Sequence, residues 1–367
     1  MRPQPFKLER YFANHEFSAR YLLSSSDCET VAMSELVEMA DPAAREAWEA
    51  LRLGYTQSKG LPELREEIAG LYEKAPAGAV LCGVPEELIF VAMSSTLGPG
   101  DHVVCTFPGY QSLYSVAESL GCDASYWRVR EGGGWSFEAE DLDALLRPET
   151  RAVVVNFPHN PTGALPARAV LEHVVEAAGA RDAWLFSDEM YRLLEFDPAA
   201  RLPAACDMYE KAVSLSGLSK SFGLAGLRSG WLACRDKAFN EAAASFKDYT
   251  TICASAPGEV LSLMALRSRD VIIRRNLERI ERNLKVLDRF FEDHKATFSW
   301  SRPEAGSIGL ARLLEGSASQ FCEEVLSAEG ILLLPSTVFD FGDSHFRLGF
   351  GREDMPDVLA RLASHIS

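Results

Sequence analysis

Apolar residues recur along this chain in two patterns. Short stretches at 102–107, 151–157, 183–187 and 212–215 are apolar almost without interruption, as strands buried on both faces of a parallel sheet are. Longer stretches space their apolar residues three or four positions apart. Residues 35–53 do so with a break at Asp41-Pro42, a helix follows residue 65 and runs to about Tyr72, and 257–294 is helical, with charges alternating on its outer face from 267 to 285. Residues 85–92 read as a turn feeding one more short buried strand, with Met93-Ser94-Ser95 just past its end. Apolar runs at 308–314, 330–334 and 346–350, with helices between them, predict a second, smaller unit. Residues 1–35 show no clean period and carry Ser24-Ser25-Ser26-Asp27, the composition of an irregular arm.

Together these elements predict an α/β fold. A mainly parallel sheet with helices on both faces would span 36–280, and a small α+β domain would be formed by 281–367 with the N-terminal arm 1–35. At 367 residues the chain is long enough for both. A net charge of -16 argues against a nucleic acid or an anionic membrane as partner. No apolar run approaches the roughly 20 residues needed to cross a bilayer, and Met1-Arg-Pro-Gln-Pro lacks the apolar segment of a signal peptide. The eight cysteines form no Cys-x-x-Cys pair and no metal-type spacing with histidine. They read as free thiols in a reducing compartment, the cytoplasm, with no metal expected.

Candidate chemistry gathers where the buried strands end. Asn160, Asp188 and Lys220 each lie just past such an end, where ligands of open α/β sheets collect. A carboxylate buried there without a cation would be costly, and a lysine would be poorly solvated. The surrounding segments are Asn156-Phe-Pro-His-Asn-Pro-Thr-Gly163, Ser187-Asp-Glu-Met-Tyr191, and Ser216-Gly-Leu-Ser-Lys220 followed by Gly223-x-x-Gly-x-Arg228-x-Gly230. In this order they resemble the class I and II aminotransferases, the fold type I enzymes that use pyridoxal phosphate (PLP). The resemblance spans about 53–351. Within the family, residues 153–164, the Gly-Leu-x-Gly-Leu-Arg-x-Gly-Trp run and the three serines of the arm look most like the capreomycidine synthase branch.

The resemblance implies a role for each polar residue in these segments. Lys220 would hold PLP as a Schiff base and move the substrate proton. Asp188 would pair with the pyridine nitrogen, Asn160 and Tyr191 would hydrogen-bond the phenolate oxygen, and Tyr110 would cover the ring face. The phosphate would fall to Arg228 and Ser219, with Ser216 a further possibility, to Ser94 and Ser95 at a helix start, and to Tyr55 from the partner subunit of a homodimer. Arg347, in Phe346-Arg-Leu-Gly-Phe350, would take the substrate α-carboxylate, with Arg352 as its neighbouring competitor. Three departures from the family pattern stand out. Gly217 replaces a usual Ser or Thr, only Thr96 and Leu97 separate Ser95 from the turn Gly98-Pro-Gly-Asp101, and Gly306-Ser307 replaces a Gly-Gly pair.

The implied reaction is transamination between an amino acid and a keto acid. A second reading keeps the cofactor and the same Lys, Asp and Arg residues but ends in β-elimination or replacement with cyclisation, as in capreomycidine synthase. A PLP-binding regulatory domain would need a DNA-binding segment for which the chain has neither room nor charge. A Ser-Lys hydrolase would need a serine where Gly217 stands. Asp27 and Glu29 are the arm's candidates for meeting a cationic substrate side chain, or they meet only water.

Overall fold

The computed structural model describes residues 3–366. Met1, Arg2 and Ser367, at the outer ends of the arm and of the small-domain span, lie outside them. In chain order the strands are β1 (Val80–Gly83), β2 (His102–Phe107), β3 (Asp123–Arg128), β4 (Arg130–Glu131) and β5 (Trp135–Ser136), then β6 (Thr150–Asn156), β7 (Trp184–Asp188), β8 (Ala212–Gly217) and β9 (Gly230–Cys234). They are followed by β10 (Phe298–Trp300), β11 (Ile308–Leu313), β12 (Leu334–Pro335) and β13 (His345–Gly349). Seven of these form one sheet in the order β1-β9-β8-β7-β6-β2-β3, parallel except at β9. The expected mainly parallel α/β architecture is present.

Apolar continuity along β2 and β6 follows from burial on both faces. Val103, Cys105 and Val154 pack with Leu88 and Val91 of the helix Pro85–Thr96 on one side, while Val104, Val153 and Val155 pack with Leu171 and Val174 of the helix Arg168–Gly179 on the other. Successive side chains alternate between the two layers.

A second, antiparallel sheet has the order β10-β11-β13-β12. The long helix Arg269–Asp293 ties the two sheets together. Asn276 Nδ2 donates to the carbonyl of Ser221 at 2.9 Å, and Asn283 Nδ2 donates to those of Phe350 at 2.8 Å and Arg352 at 2.7 Å.

The structure departs from the sequence reading in four elements. Residues 85–92 are not a strand: the helix Pro85–Thr96 runs through them. Pro85 fits a first helical position, and Glu87 reaches back to the amide of Val84 at 3.4 Å. The arm is not irregular throughout, since Lys7–His15 is a helix and a second helix, Met33–Met39, begins before the arm ends. Residues 257–294 form two helices, Ala256–Arg267 and Arg269–Asp293, parted at Ser268. The apolar run 330–334 contributes only the short strand β12.

Candidate active site

The carboxyl ends of β6, β7 and β8 open into one cavity of about 370 Å³. Asn160, Asp188, Tyr191, Ser219, Lys220, Tyr110, Arg228 and Arg347 all line it, as does Arg352. Arg347 comes from the second sheet, so the cavity lies between the two.

The arm reaches the cavity because β13 lets it approach. A Cβ at Gly349 would stand 1.8 Å from the carbonyl of Ser25, and the Gly349 amide donates to the carbonyl of Leu23 at 2.7 Å. With the chain thus fixed, Lys220 Nζ donates to Ser26 Oγ at 2.7 Å, and Arg347 Nη2 to the carbonyl of Ser24 at 2.9 Å. Arg347 Nη1 donates to Asn160 Oδ1 at 3.1 Å, and the Asn160 amide donates to Asn156 Oδ1 at 2.7 Å. Asn156 Nδ2 closes the chain on the carbonyl of Asp188 at 3.1 Å. One hydrogen-bond relay therefore sets Arg347 against the end of β7.

Electrostatics mark the same residues. Asp188 is buried, with one carboxylate oxygen accepting from the amide of Met190 at 3.0 Å, and burial pushes its pKa up to about 7. Burial pulls the Lys220 ammonium below its usual range, with Asp27 opposing. The guanidinium of Arg347 is likewise lowered by burial. The Tyr191 phenol is pushed up by burial, with Arg347 and Ser26 opposing.

Neither the Tyr191 hydroxyl nor Ser219 Oγ has a hydrogen-bond partner of good geometry among the described residues, and each is buried. Buried hydroxyls are seldom left so. A polar ligand carrying an oxygen acceptor and a ring cation would satisfy both hydroxyls and Asp188.

The profile of the aminotransferase class I and II family matches residues 21–365. The chain belongs to that family. The capreomycidine synthase of Streptomyces vinaceus is 27% identical over 365 residues, covering 98% of this chain and 93% of that protein. Among solved structures, a PLP-dependent aminotransferase from Streptococcus suis superposes with a TM-score of 0.93 at 29% identity, covering 100% of this chain and 98% of that one. The PLP-dependent cyclase OrfR superposes with a TM-score of 0.90 at 29% identity, covering 100% of this chain and 99% of that one. The protein is a PLP-dependent enzyme of fold type I, and pyridoxal phosphate is its cofactor. The orphaned hydroxyls and buried Asp188 fit that group.

Two sequence assignments do not survive. Ser94 and Ser95 lie in the last turn of the helix Pro85–Thr96, where Ser95 Oγ donates to the carbonyl of Val91 at 2.7 Å. Neither lines the cavity. It is Pro85 and Glu86, in the first turn, that do. The full helix that seemed missing after Ser95 precedes it instead.

Ser216 is also absent from the cavity wall. Gly217 is glycine for a packing reason: a Cβ would stand 2.9 Å from the carbonyl of Ser229 and 3.2 Å from Pro85 Cγ. A side chain at 217 would meet first the backbone carbonyl of Ser229, on the neighbouring strand side, and only then Pro85. Tyr55 lies outside the cavity and is 91% exposed.

Glu9, Glu16 and Glu86 were missed as cavity residues. The signal for Glu86 was present in Pro85-Glu-Glu, a proline followed by acids as in a helix's first turn.

No helix among the described residues is long and apolar enough to cross a membrane. All eight cysteines are free, with Cys122 and Cys253 half-buried and the rest buried.

Proposed function

We propose that this protein is an aminotransferase acting on an L-amino acid, with Lys220 as the residue that holds the cofactor and moves the proton. The observation that carries the reading is the convergence of Lys220, Asp188 and Arg347 on one cavity at the strand ends. When bound, PLP supplies the electron sink that lets the substrate α-carbon give up its proton. Lys220, drawn toward neutrality by burial, is suited to take that proton from the α-carbon and deliver it elsewhere. Asp188 holds the proton on the ring nitrogen. Asn160 and Tyr191 would orient the ring through its phenolate oxygen, and Tyr110 would cover one face and exclude water. Ser219, Arg228 and the amides opening the helix Pro85–Thr96 hold the phosphate. Tyr55 joins them from a second copy in a homodimer, which would also cover Leu53 and Tyr249, 85% and 92% exposed in the single chain.

Arg347 takes the substrate α-carboxylate, since it is the buried fork positioned by Asn160 and the carbonyl of Ser24. Arg352 is already engaged, with Nη2 reaching both carboxylate oxygens of Asp27 at 2.9 and 3.0 Å. Replacing Arg347 by alanine is expected to raise KM for the amino acid by roughly 10- to 100-fold, the worth of a charged bidentate contact, while PLP affinity changes much less. An unchanged KM would remove Arg347 from this role.

A second reading has its own support. Both capreomycidine synthase and the cyclase OrfR align over nearly the whole chain, so elimination with cyclisation at the same Lys220 and Asp188 is the alternative outcome. The two differ in whether the amino group stays on the cofactor.

A further inference from the structure

With Lys220 as the cofactor lysine, a reading on which the present inference rests, an incoming amino acid displaces it from the cofactor aldehyde in either reaction. The freed amine then needs a fixed place from which to work. A lysine stem is long and flexible, and without an acceptor its amine keeps no one position. Asp27 is the acid whose charge most favours the ammonium, yet both of its carboxylate oxygens accept from Arg352 Nη2. Glu29 Oε1 also lies 3.6 Å from Arg352, so the two acids singled out in the arm's sequence meet an arginine of their own chain. The acceptor left to Lys220 Nζ is the hydroxyl of Ser26, at 2.7 Å.

Ser26 is held in that position from three sides. Beyond the close approach of Ser25 to Gly349, a Cβ at Gly351 would stand 2.5 Å from the carbonyl of Asp27, and one at Gly223, where φ is +67°, 2.3 Å from that of Glu29. The Glu29 amide donates to the carbonyl of Gly351 at 2.9 Å, and the Cys28 amide donates to the carbonyl of Lys220 itself at 3.4 Å. From the second sheet's side, Ser307 Oγ donates to the carbonyl of Ser26 at 2.7 Å, and Ser307 is fully buried. Ser307 is one of the chain's departures from its family's pattern, and its hydroxyl is spent on fixing the residue that meets Lys220. The arm thus supplies an acceptor to each cation in turn: the Ser24 carbonyl to Arg347, the Ser26 hydroxyl to Lys220 and the Asp27 carboxylate to Arg352. Only the middle one is a neutral side chain, and only it touches the amine that does the chemistry.

We propose that Ser26 is a positioning residue for Lys220, its hydroxyl receiving the amine that the cofactor releases and holding it at one place, with Ser307 fixing Ser26 in turn. An oxygen that accepts from an ammonium favours the charged form. Burial works against that form, and Arg347 on β13 does so too, while Asp27 and Glu9 of the arm and Asp188 at the end of β7 support it. Glu16 and Cys28 of the arm also face the amine, and the Tyr191 hydroxyl lies beside Ser26. Ser26 therefore helps the freed lysine keep a proton taken from the α-carbon until it is delivered.

The test uses the full chain loaded with pyridoxamine phosphate, which bears an amine in place of the aldehyde and leaves Lys220 free. Brief acetylation with a trace of acetic anhydride across a pH series, read at Lys220 by mass spectrometry, reports the neutral amine, because only that form reacts. Ser26→Ala is expected to be labelled at Lys220 about tenfold faster on the acidic limb of the profile, and equally fast on the alkaline plateau, where the amine is neutral in both proteins. Ser307→Ala, whose lost hydroxyl reaches Ser26 and not Lys220, should move the acidic limb in the same direction by a smaller factor, and it carries the test if Ser26→Ala fails to fold. In the PLP-loaded enzyme Ser26→Ala should lower kcat by about tenfold and leave KM within about twofold, because the Ser24 carbonyl that sets Arg347 is backbone. An acidic limb unchanged in both variants overturns the proposal, as does faster labelling at every pH including the plateau, the mark of mere exposure. If Lys220 of the unmodified protein is labelled as readily with PLP bound as with pyridoxamine phosphate, Lys220 does not hold the cofactor, and the reading beneath falls as well.

Discussion

Replacing Lys220 by alanine is expected to abolish the borohydride-reducible link between protein and PLP and to lower turnover by roughly 10²- to 10⁴-fold or more. The effect is large because, in the proposed function, one amine would have two duties, anchoring the cofactor aldehyde and carrying the proton of the substrate α-carbon. No other described lysine lines the cavity. Lys247, which is also buried, is turned to the carbonyls of Ser58 at 3.2 Å and Ile252 at 3.1 Å. Mass spectrometry of the reduced, digested protein should place the modification on Lys220 in the unmodified chain and find none in the variant. A retained covalent adduct in the variant would contradict the assignment.

Replacing Asp188 by asparagine is expected to have opposite effects on chemistry and on stability. Without a carboxylate the ring nitrogen loses the group that holds its proton, and turnover should fall by about 10²-fold or more, with the Lys220 link intact. In the cofactor-free protein Asp188 is a burden. Its pKa is about 7 when folded and near the ordinary aspartate value of 3.8 when unfolded, so between these values the folded state holds the extra proton. Stability therefore falls as pH rises through that window, and the penalty is fully present above about pH 7, on the order of 4 kcal/mol. Cofactor-free Asp188→Asn should melt several degrees above the unmodified protein at pH 8 and close to it at pH 4. With PLP bound, the ring cation offsets the penalty and the advantage at pH 8 should shrink. Equal melting temperatures at pH 8 without cofactor would mean that Asp188 is not destabilised by its burial.

Much of the architecture could be read from the sequence, because β2, β6, β7 and β8 are buried on both faces and their apolar runs have no other use. The same feature placed Asn160, Asp188 and Lys220, each at the end of one strand. The helix Pro85–Thr96 was misread for a related reason. Its apolar core from Leu88 to Met93 is continuous, and a short continuous run does not distinguish a buried helix from a strand. That error displaced the cavity-lining end of the helix from Pro85 and Glu86 to Ser94 and Ser95. What sequence could not supply was contact over distance. Glu9 meets Tyr110 only because the arm folds over the cavity, and the arm lies there because Gly349 has no side chain to keep Ser25 away. The pairing of Asp27 with Arg352 is of the same kind.

Aminotransfer itself is tested most directly by the absorption spectrum of the PLP-loaded enzyme, recorded while a single L-amino acid is added without any keto acid. The account predicts a stoichiometric and lasting loss of the Lys220-linked absorption band, one equivalent of the matching keto acid released, and return of the band only when a keto acid is supplied. If the band recovers unaided while the amino acid is consumed and no matching keto acid appears, the protein is not a transaminase, and the elimination and cyclisation reading takes its place.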